Sequence, residues 1–367
     1  MKPMALIGAG GYVGARIIEK SILLGSPTIV PIVRSWRSQG RLARYGIRTF
    51  MSEVSDTESL VPLLRGCGMA VNLTMGENNV MLRNVKALHE ACAIAGVPIL
   101  VHVSSAEVFG RAKEQNLKED SIPRSRHWME YARAKRETES WLRSQFQGPV
   151  KIVILRPGLI WGPGSGWLVQ PAKALSDGTA FLFNEGLGIC NLIHVDNFIQ
   201  HLVHLAAQEK VDSGIFNVSD TETLNWLEYY SAIASEIGIE ASRIHLLPDS
   251  AFKVGYKHRL EGLARTRAAK VIKSRMTSAS KVRIKQLLED KFRSPKYQVI
   301  DPKERLPVTR DLWWIQGTKR KLPTRDFATR YPGIELKPFA ELMTSAGDWL
   351  RFAGFGESDV HSLKMKS

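Results

Sequence analysis

A glycine-rich turn, Gly8-Ala9-Gly10-Gly11-Tyr12-Val13-Gly14, follows directly on an apolar segment at the start of the chain. Glycine is required where a turn is tight and where the backbone must approach a charged group closely. A helix that begins at such a turn directs free N–H groups and the positive end of its dipole at the loop, an arrangement that binds pyrophosphate. The turn therefore predicts a dinucleotide site. The residues predicted to form it are Gly8, Gly10, Gly11, Tyr12, Val13 and Gly14.

Short apolar segments alternate with helical patterns through the first half of the chain. The segments lack polar alternation, as expected for strands covered by helices on both faces. This alternation predicts a parallel sheet in an α/β domain. The predicted strands are Met4–Ile7, Thr28–Val33, Met69–Leu73, Ile99–Val103 and Val150–Leu155. Helices are predicted between them, among them Val13–Leu24 and Val80–Ala95.

The second half of the chain has a looser pattern with more glycine and proline. We predict a Rossmann-type, doubly wound parallel sheet with a smaller, interleaved C-terminal substrate lobe. The large domain takes residues 1–165, and residues 190–218 return to it, with Ile193–Ala207 as a further strand and helix. The lobe takes residues 166–189 and 219–355.

The net charge of +15 is unevenly distributed. The basic segment 253–296 carries 14 Lys and Arg residues against three acidic ones, a net charge of +11. Its apolar residues recur at helical spacing, which predicts a basic amphipathic helix. One interpretation is a solvated helix face over the lobe, and another is contact with an anionic membrane surface. No nucleic-acid-binding motif accompanies the segment, so no nucleic-acid partner is expected.

Three cysteines, Cys67, Cys92 and Cys190, occur without close pairing. This argues against a disulfide framework or a metal site and fits a reducing cytoplasm. No signal peptide is visible, and no uncharged apolar stretch reaches the roughly 18 residues of a membrane span. The expectation is a cytoplasmic protein, with peripheral contact at the inner membrane surface as the alternative that the basic segment leaves open.

Arg34 directly follows the second predicted strand. An acidic residue at this position would hydrogen-bond the ribose 2′-hydroxyl of NAD, whereas a cation suits the 2′-phosphate of NADP. The sequence therefore favours NADP over NAD. The alternative is that Arg34 is only a solvated strand end.

Tyr131 and Lys135 are four residues apart and therefore share one face of a predicted helix. A tyrosine of ordinary pKa, near 10, is a poor base at neutral pH. A lysine beside it, together with the positive charge of an oxidised nicotinamide, lowers that pKa and makes proton exchange with a substrate hydroxyl practical. Ser105, after the strand Ile99–Val103, would hydrogen-bond the same substrate oxygen.

These features resemble the extended short-chain dehydrogenase/reductases of the NAD-dependent epimerase/dehydratase superfamily, over nearly the full chain. The motifs that carry the resemblance are the glycine turn, Val71-Asn72-Leu73, Val103-Ser104-Ser105-Ala106-Glu107-Val108-Phe109-Gly110, Tyr131 with Lys135, Leu155-Arg156-Pro157-Gly158 and His194-Val195-Asp196-Asn197. They are highly specific for the superfamily and much less so for the substrate.

The resemblance implies roles for individual residues. Ser105, rather than Ser104, is the catalytic hydroxyl, because it stands five residues before Gly110. Tyr131 is the acid/base, and Lys135 also binds the nicotinamide ribose. Leu73 and Pro157 belong to the cofactor site, with Pro157 against the nicotinamide.

Three positions bear on the substrate. Ala106 stands where nucleotide-sugar dehydratases carry an Asp, so full dehydratase chemistry is not expected. Glu107 matches a glutamate of some decarboxylases and epimerases, or it is a structural carboxylate. Cys190 stands where many nucleotide-sugar enzymes have a phosphate-binding arginine. Trp161 and Trp167 are further candidates to line a substrate pocket, or they only pack the glycine-rich loop between them.

The resulting hypothesis is an NAD(P)-dependent epimerase or oxidoreductase that transfers hydride at a secondary alcohol or ketone carbon of a nucleotide-linked sugar. One alternative is a dehydrogenase or reductase that resembles the 3β-hydroxysteroid branch and needs no nucleotide on its substrate. An alternative of another class is a non-catalytic NADP-binding sensor or scaffold. Intact Ser105, Tyr131 and Lys135 weigh against it, since a sensor needs only the glycine turn. Beyond a small-molecule substrate, a homodimer is the remaining partner expectation.

Overall fold

The computed structural model describes residues 1–76, 78–110, 119–121, 127–252, 298–301, 304–306 and 308–356. The basic segment 253–296, and with it the predicted amphipathic helix, lies outside the described residues. No helix in the described part of the chain has the length and apolar character to span a bilayer.

The strands and helices of the described residues are numbered here in chain order. The strands are β1 Met4–Ile7, β2 Ile29–Val33, β3 Phe50–Met51, β4 Met69–Asn72, β5 Ile99–Val103, β6 Lys151–Pro157, β7 Leu159–Trp161, β8 Phe181–Phe183, β9 Ile189–Cys190, β10 Leu192–His194, β11 Gly214–Val218, β12 Leu224–Asn225, β13 His245–Leu247, β14 Gln298–Asp301 and β15 Glu304–Leu306. The helices are α1 Tyr12–Leu24, α2 Trp36–Leu42, α3 Thr57–Leu64, α4 Asn78–Ala95, α5 Glu130–Ser144, α6 Gly166–Ser176, α7 Val195–Ala206, α8 Trp226–Glu236, α9 Arg310–Gln316, α10 Arg325–Arg330 and α11 Phe339–Phe352.

A seven-stranded parallel sheet forms the centre of the large domain, in the order β3-β2-β1-β4-β5-β6-β11. The chain builds outward from β1 to β3, then returns to the other side of β1 with β4. In such sheets a ligand crevice opens beyond the carboxyl ends of the strands, at this reversal of strand order. The reversal lies between β1 and β4. The glycine turn directly follows β1, and Leu73 directly follows β4.

Helices cover both faces of this sheet. Successive residues of a strand point to opposite faces, so each strand contributes side chains to two cores. Leu6 packs in one core with Ile17 of α1 and Phe198 of α7. Its neighbours Ala5 and Ile7 pack in a second core, which includes α3 and α4 side chains. The predicted fold class, a doubly wound Rossmann-type sheet, is confirmed.

A separate core joins α6, α8 and α11 in the lobe. Two details differ from the predicted chain division. The predicted strand at Ile193 pairs with β7 outside the main sheet, although α7 after it packs on that sheet. Phe327 and Tyr331, which the prediction gives to the lobe, pack in the core of the large sheet. Burial of their rings against Phe216 of β11 accounts for this return.

A buried ion pair joins α5 to the main sheet. The Arg156 guanidinium of β6 donates to the Glu139 carboxylate of α5, with Nη2–Oε2 at 2.5 Å and Nε–Oε1 at 2.9 Å. Both side chains are fully buried. Nη1 of Arg156 also donates to the carbonyl oxygens of Glu119 and Ser121. Each guanidinium nitrogen of Arg156 thus has a hydrogen-bond acceptor. Additional hydrogen bonds of this kind allow a buried ion pair to be tolerated.

We expect Arg156→Met to destabilise the protein by about 3–5 kcal/mol, because it leaves the Glu139 carboxylate buried without its cation. The matched control is Lys173→Met, which breaks the exposed Lys173–Asp177 pair of α6. An exposed pair of this kind contributes about 0.5 kcal/mol. Urea unfolding of both variants measures the difference, and equal small losses would contradict the structural importance of the buried pair.

Candidate active site

The glycine turn is held against the ends of the first two strands. The N–H groups of Gly8 and Ala9 donate to the Ile32 carbonyl oxygen at 3.1 and 3.2 Å. Gly8 has φ +85°, a conformation that favours glycine. At Gly14 a Cβ would lie 2.5 Å from the Ala9 carbonyl oxygen, so α1 can approach the turn this closely only with glycine there. Gly11 caps α1 without a side chain, which leaves the first N–H groups of the helix for a ligand.

Gly10 and Arg34 lie on the α2 side of this turn. A Cβ on Gly10 would lie 2.5 Å from Cβ of Ser38, so Gly10 is a packing position for α2. Arg34 is exposed, directly after β2. It is therefore free to approach a ligand that extends from the turn across the end of β2.

Tyr131 and Lys135 lie on α5, as the four-residue spacing predicts. Nζ of Lys135 lies 5.8 Å from the centre of the Tyr131 ring and donates to the Val103 carbonyl oxygen at 2.7 Å. Burial lowers the pKa of Lys135 to about 8, although the Glu139 charge opposes this. Burial raises the pKa of Tyr131, the hydrogen bond with Ser105 lowers it, and the Glu107 charge raises it. Without a cationic ligand the phenol therefore holds its proton.

The two serines after β5 have different partners. The Ser104 hydroxyl donates to the Glu139 carboxylate beneath the site. The Ser105 hydroxyl accepts the N–H of Glu107 at 3.1 Å and is near enough to the Tyr131 phenol to lower the pKa of that phenol. This arrangement favours Ser105, the residue that the resemblance implies, over Ser104.

A cavity of about 660 Å³ extends from the glycine turn to these side chains. The predicted site residues that line it are Gly8, Gly11, Tyr12, Val13, Gly14, Leu73, Ser105, Glu107, Tyr131, Lys135, Pro157 and Trp167. Gly10, Arg34 and Trp161 are not among its lining residues. The structure thus brings the predicted catalytic residues and most of the predicted dinucleotide residues to one cavity. Within the described ranges, no group of three or more His, Cys, Asp or Glu side chains could hold a metal ion.

Trp161 occupies a different position from Trp167. Its side chain is fully buried in the lobe core, and Nε1 donates to Asp220 Oδ2 at 2.9 Å. Trp161 therefore packs the loop, which is the alternative that the sequence left open for it. Trp167 lies at the start of α6 and reaches the cavity.

The lobe contributes cavity residues that sequence reasoning did not identify. Asp311 and Ile315 of α9 line the cavity, and Trp314 of the same helix donates from Nε1 to Glu107 Oε1 at 2.8 Å. The adjacent tryptophans Trp313 and Trp314 are the one sequence feature that could have marked α9 as a candidate part of the site. Nothing in local spacing indicates that a helix some 200 positions after Glu107 covers the same cavity.

Comparisons with known proteins find a matching family model, distant relatives and similar folds. A family model, the NAD dependent epimerase/dehydratase family, matches residues 4–219. A curated relative is the decarboxylating sterol-4-alpha-carboxylate 3-dehydrogenase of Dictyostelium discoideum, 20% identical over 264 residues, which cover 67% of this chain and 80% of that protein. Another is the N-acetyl-alpha-D-glucosaminyl-diphospho-ditrans,octacis-undecaprenol 4-epimerase of Escherichia coli O157:H7, 21% identical, with 66% of this chain and 74% of that protein covered.

A solved structure with the same fold is a dTDP-glucose 4,6-dehydratase from Streptomyces venezuelae with NAD bound. The TM-score is 0.66 at 15% identity, and the match covers 97% of this chain and 99% of that chain. At this identity the likeness concerns the fold.

We expect Gly14→Ala to weaken NADH binding at least about tenfold, since the backbone of the turn must shift to accept a Cβ 2.5 Å from the Ala9 oxygen. The control is Gly40→Ala on α2, where a Cβ meets no atom within 4 Å. Titration by fluorescence energy transfer from tryptophan to NADH gives both affinities. Unchanged affinity in a folded Gly14→Ala protein would remove the role assigned to this close approach.

Proposed function

The chain belongs to the NAD-dependent epimerase/dehydratase family, and on that premise we propose that it transfers a hydride at the carbon of a secondary alcohol or ketone. The observation that carries the proposal is that Ser105, Tyr131 and the buried Lys135 line one cavity, which begins at the glycine turn. A protein that only sensed the dinucleotide would need the turn but not this trio.

Each member of the trio has a separate task. Tyr131 removes the hydroxyl proton of the alcohol, or returns it to the ketone. Ser105 donates a hydrogen bond to the same substrate oxygen and so stabilises charge that develops there. Lys135 supplies a positive charge beneath the phenol, which favours the phenolate. The dinucleotide, when bound along the glycine turn, Leu73 and Pro157, supplies or accepts the hydride.

A sugar linked to a nucleotide or to another diphosphate carrier is the substrate class we propose first. Two similar proteins support this choice. One is named as a dTDP-glucose 4,6-dehydratase, and the other as a 4-epimerase of a diphospho-undecaprenol-linked N-acetylglucosamine. Glu107, an acceptor at the cavity wall, suits a substrate with several hydroxyl groups. In an epimerase the hydride would return to the opposite face of the same carbon, with no net redox change.

An alcohol without a nucleotide is the second candidate. Many of the described cavity-lining side chains are apolar, among them Met129, Leu159, Ile160, Trp167 and Ile315. Lys135 is the sole basic residue among them, and Cys190, at the position of the family's phosphate-binding arginine, is buried. A sterol dehydrogenase among the relatives supports this candidate as well.

One experiment separates the two candidates. Purified protein is incubated with NAD or NADP and either UDP-glucose or a 3β-hydroxysteroid, with absorbance at 340 nm and NMR of the products as readouts. A new sugar epimer without net reduction supports the first candidate. Net reduction of the dinucleotide with the steroid alone supports the second, and no turnover with any alcohol or ketone would overturn hydride transfer.

Tyr131→Phe should lower turnover at least about a hundredfold and leave dinucleotide affinity nearly unchanged, because only the transferable proton is lost. The control is Tyr45→Phe, whose phenol accepts from Arg44 and is not among the cavity-lining residues. Single-turnover kinetics and NADH titration measure the two quantities. Wild-type turnover in Tyr131→Phe would show that another group transfers the proton.

NADP is the cofactor we propose over NAD, on the exposed position of Arg34 after β2. Arg34→Asp should weaken NADP binding about 10- to 100-fold and spare NAD, because a charge-assisted hydrogen bond to the 2′-phosphate is lost. Arg65→Asp is the control, because it makes the same charge change on an exposed residue. Arg65 precedes the amino end of β4, so it lies at the end of the strands opposite to Arg34. Titration with both dinucleotides decides, and an unchanged affinity ratio in Arg34→Asp would contradict the proposal.

The remaining expectations stay predictions. They are the division into domains at residues 165, 190 and 218, a homodimer, and contact of the basic segment 253–296 with an anionic membrane surface.

A further inference from the structure

A small recess adjoins the candidate active-site cavity on the side of the lobe. Its volume is about 60 Å³, against about 660 Å³ for the main cavity. The residues that line both are Ser105, Glu107, Pro157, Gly158, Leu159 and Ile315. Ser105 is the proposed donor to the substrate oxygen, and Pro157 is expected against the nicotinamide. A carbon that reacts between these two residues therefore lies at the entrance of the recess.

Most side chains that line the recess are apolar. They come from the segment after β5, from the strands β7 and β9, and from the chain that begins with α9. Among them are Ala106, Leu159, Ile189, Ile315 and Leu322. Ala106, the smallest of these side chains, lines the recess and is not among the residues that line the main cavity. A substituent that enters the recess thus meets mainly hydrocarbon.

Two polar residues of the recess are engaged in holding its wall. Asn191 Nδ2 donates to the Arg320 carbonyl oxygen at 3.0 Å, and Asn191 Oδ1 accepts the Leu322 N–H at 2.9 Å. The Arg320 guanidinium lies over the Phe109 ring, 4.8 Å from its centre, and Phe109 is not among the described lining residues. Asn191 therefore fixes the chain around Arg320 and Leu322 against the strand β9.

Ile315 of α9 stands between the two cavities, and the end of its helix is fixed. Gln316, the last residue of α9, is fully buried, and its Oε1 accepts the Phe183 N–H at 2.9 Å. A Cβ on Gly188 would lie 1.7 Å from the Gln316 carbonyl oxygen, so the chain before β9 approaches α9 this closely only with glycine there. The side chain at position 315 thus sets the width of the entrance.

We propose that the recess binds the smaller of the two substituents of the reacting carbon, that this substituent is a short alkyl group, and that Ala106 and Ile315 limit its size. A cavity of about 150 Å³ holds a benzene ring. A recess of about 60 Å³ therefore accepts a methyl or ethyl group and excludes a ring.

This inference rests on the proposed hydride transfer, and it selects between the two substrate candidates. In a sugar ring both neighbours of the reacting carbon carry oxygen, so neither is a short alkyl group. The substrate class is then an alcohol or ketone without a nucleotide, with one short apolar arm. One methylene group too many or too few in an apolar pocket changes kcat/KM about 10- to 200-fold, which makes the size of that arm measurable.

The first arm of the test measures where the substituents bind and needs no turnover. Protein with 13C-labelled isoleucine methyl groups is saturated with oxidised dinucleotide, which cannot reduce a ketone, and 4-phenylbutan-2-one is added. Ile189→Val and Ile315→Val assign the two methyl signals of the recess. We expect nuclear Overhauser effects from the ketone methyl group to both, and none from the phenyl ring to Ile189. Contact of the ring with Ile189, or no binding of the ketone, overturns the proposal.

The second arm measures kcat/KM for reduction of four ketones that share a phenylethyl group. Their other substituent is methyl, ethyl, phenyl or carboxylate, in 4-phenylbutan-2-one, 1-phenylpentan-3-one, 1,3-diphenylpropan-1-one and 2-oxo-4-phenylbutanoate. The wild type should prefer the methyl and ethyl ketones over the other two at least about tenfold. Preference for the phenyl ketone overturns the size limit. Preference for the carboxylate overturns the apolar assignment in favour of an anion site at Arg320.

Two variants change the recess in opposite directions. Ala106→Val narrows it, so kcat/KM should fall about tenfold more for the ethyl ketone than for the methyl ketone. Ile315→Ala widens its entrance and should raise kcat/KM for the phenyl ketone at least about tenfold, a gain that loss of folding cannot produce. The controls are Ala93→Val and Ile94→Ala, the same replacements at exposed positions of α4, which should leave all four values unchanged.

The outcomes separate this inference from the proposed function. If the ketone methyl group contacts Ile189 and Ile315 but none of the four ketones is reduced, hydride transfer fails on these probes and the assignment of the recess stands. If the ketones are reduced with equal kcat/KM whatever the substituent, or if Ala106→Val and Ile315→Ala leave the preference unchanged, the recess does not determine specificity and hydride transfer stands.

Discussion

The buried ion pair between Arg156 and Glu139 fixes the geometry on which the candidate site depends. It joins β6 to α5, the helix that carries Tyr131 and Lys135, and the Ser104 hydroxyl donates to the same carboxylate. The strand end that presents Ser105 and the helix that presents Tyr131 are therefore linked through one buried charge network. Since both charges are removed from water, the network tolerates little displacement without leaving a charge unsatisfied.

Lys135 and Tyr131, the proposed reactive pair, lie close together beside this network. Lys135 is buried under Tyr131 and bonded to the Val103 carbonyl oxygen, so its ammonium is held near the phenol without a direct ion pair. Burial alone would disfavour both the ammonium and a phenolate. A positive charge brought by a bound ligand would reverse that balance for the phenol, which ties proton transfer to the presence of the dinucleotide.

The lobe completes the cavity from the other side. Its helix α9 contributes Asp311 and Ile315 to the cavity wall and Trp314 to Glu107. The chain is an enzyme of the NAD-dependent epimerase/dehydratase family, and the proposed dinucleotide site and catalytic trio lie in its large domain. The side chains that would distinguish one substrate from another lie partly on this helix of the lobe. The family motifs lie in the large domain, so by themselves they say little about the substrate.

Local sequence signals predicted most of the large domain and little of the lobe. The strands Met4–Ile7 and Ile99–Val103 have the predicted bounds, because a continuous apolar run bounded by turn residues depends only on its neighbours in the chain. The spacing of Tyr131 and Lys135 likewise needs only a helix. Trp161 showed the limit, since the sequence could not tell a pocket residue from the fully buried one that bonds Asp220.

The sequence by itself determined the Rossmann-type sheet, the glycine turn and the helical spacing of Tyr131 and Lys135, from which the proposed reactive centre follows. Each of these follows from residue type and spacing over a few positions. The tertiary structure decided that Phe327 and Tyr331 return to the core of the large sheet and that Trp314 meets His127 at Glu107. Those contacts join parts of the chain up to about 200 positions apart. They arise because apolar faces and buried donors must find partners in space, which no local pattern specifies.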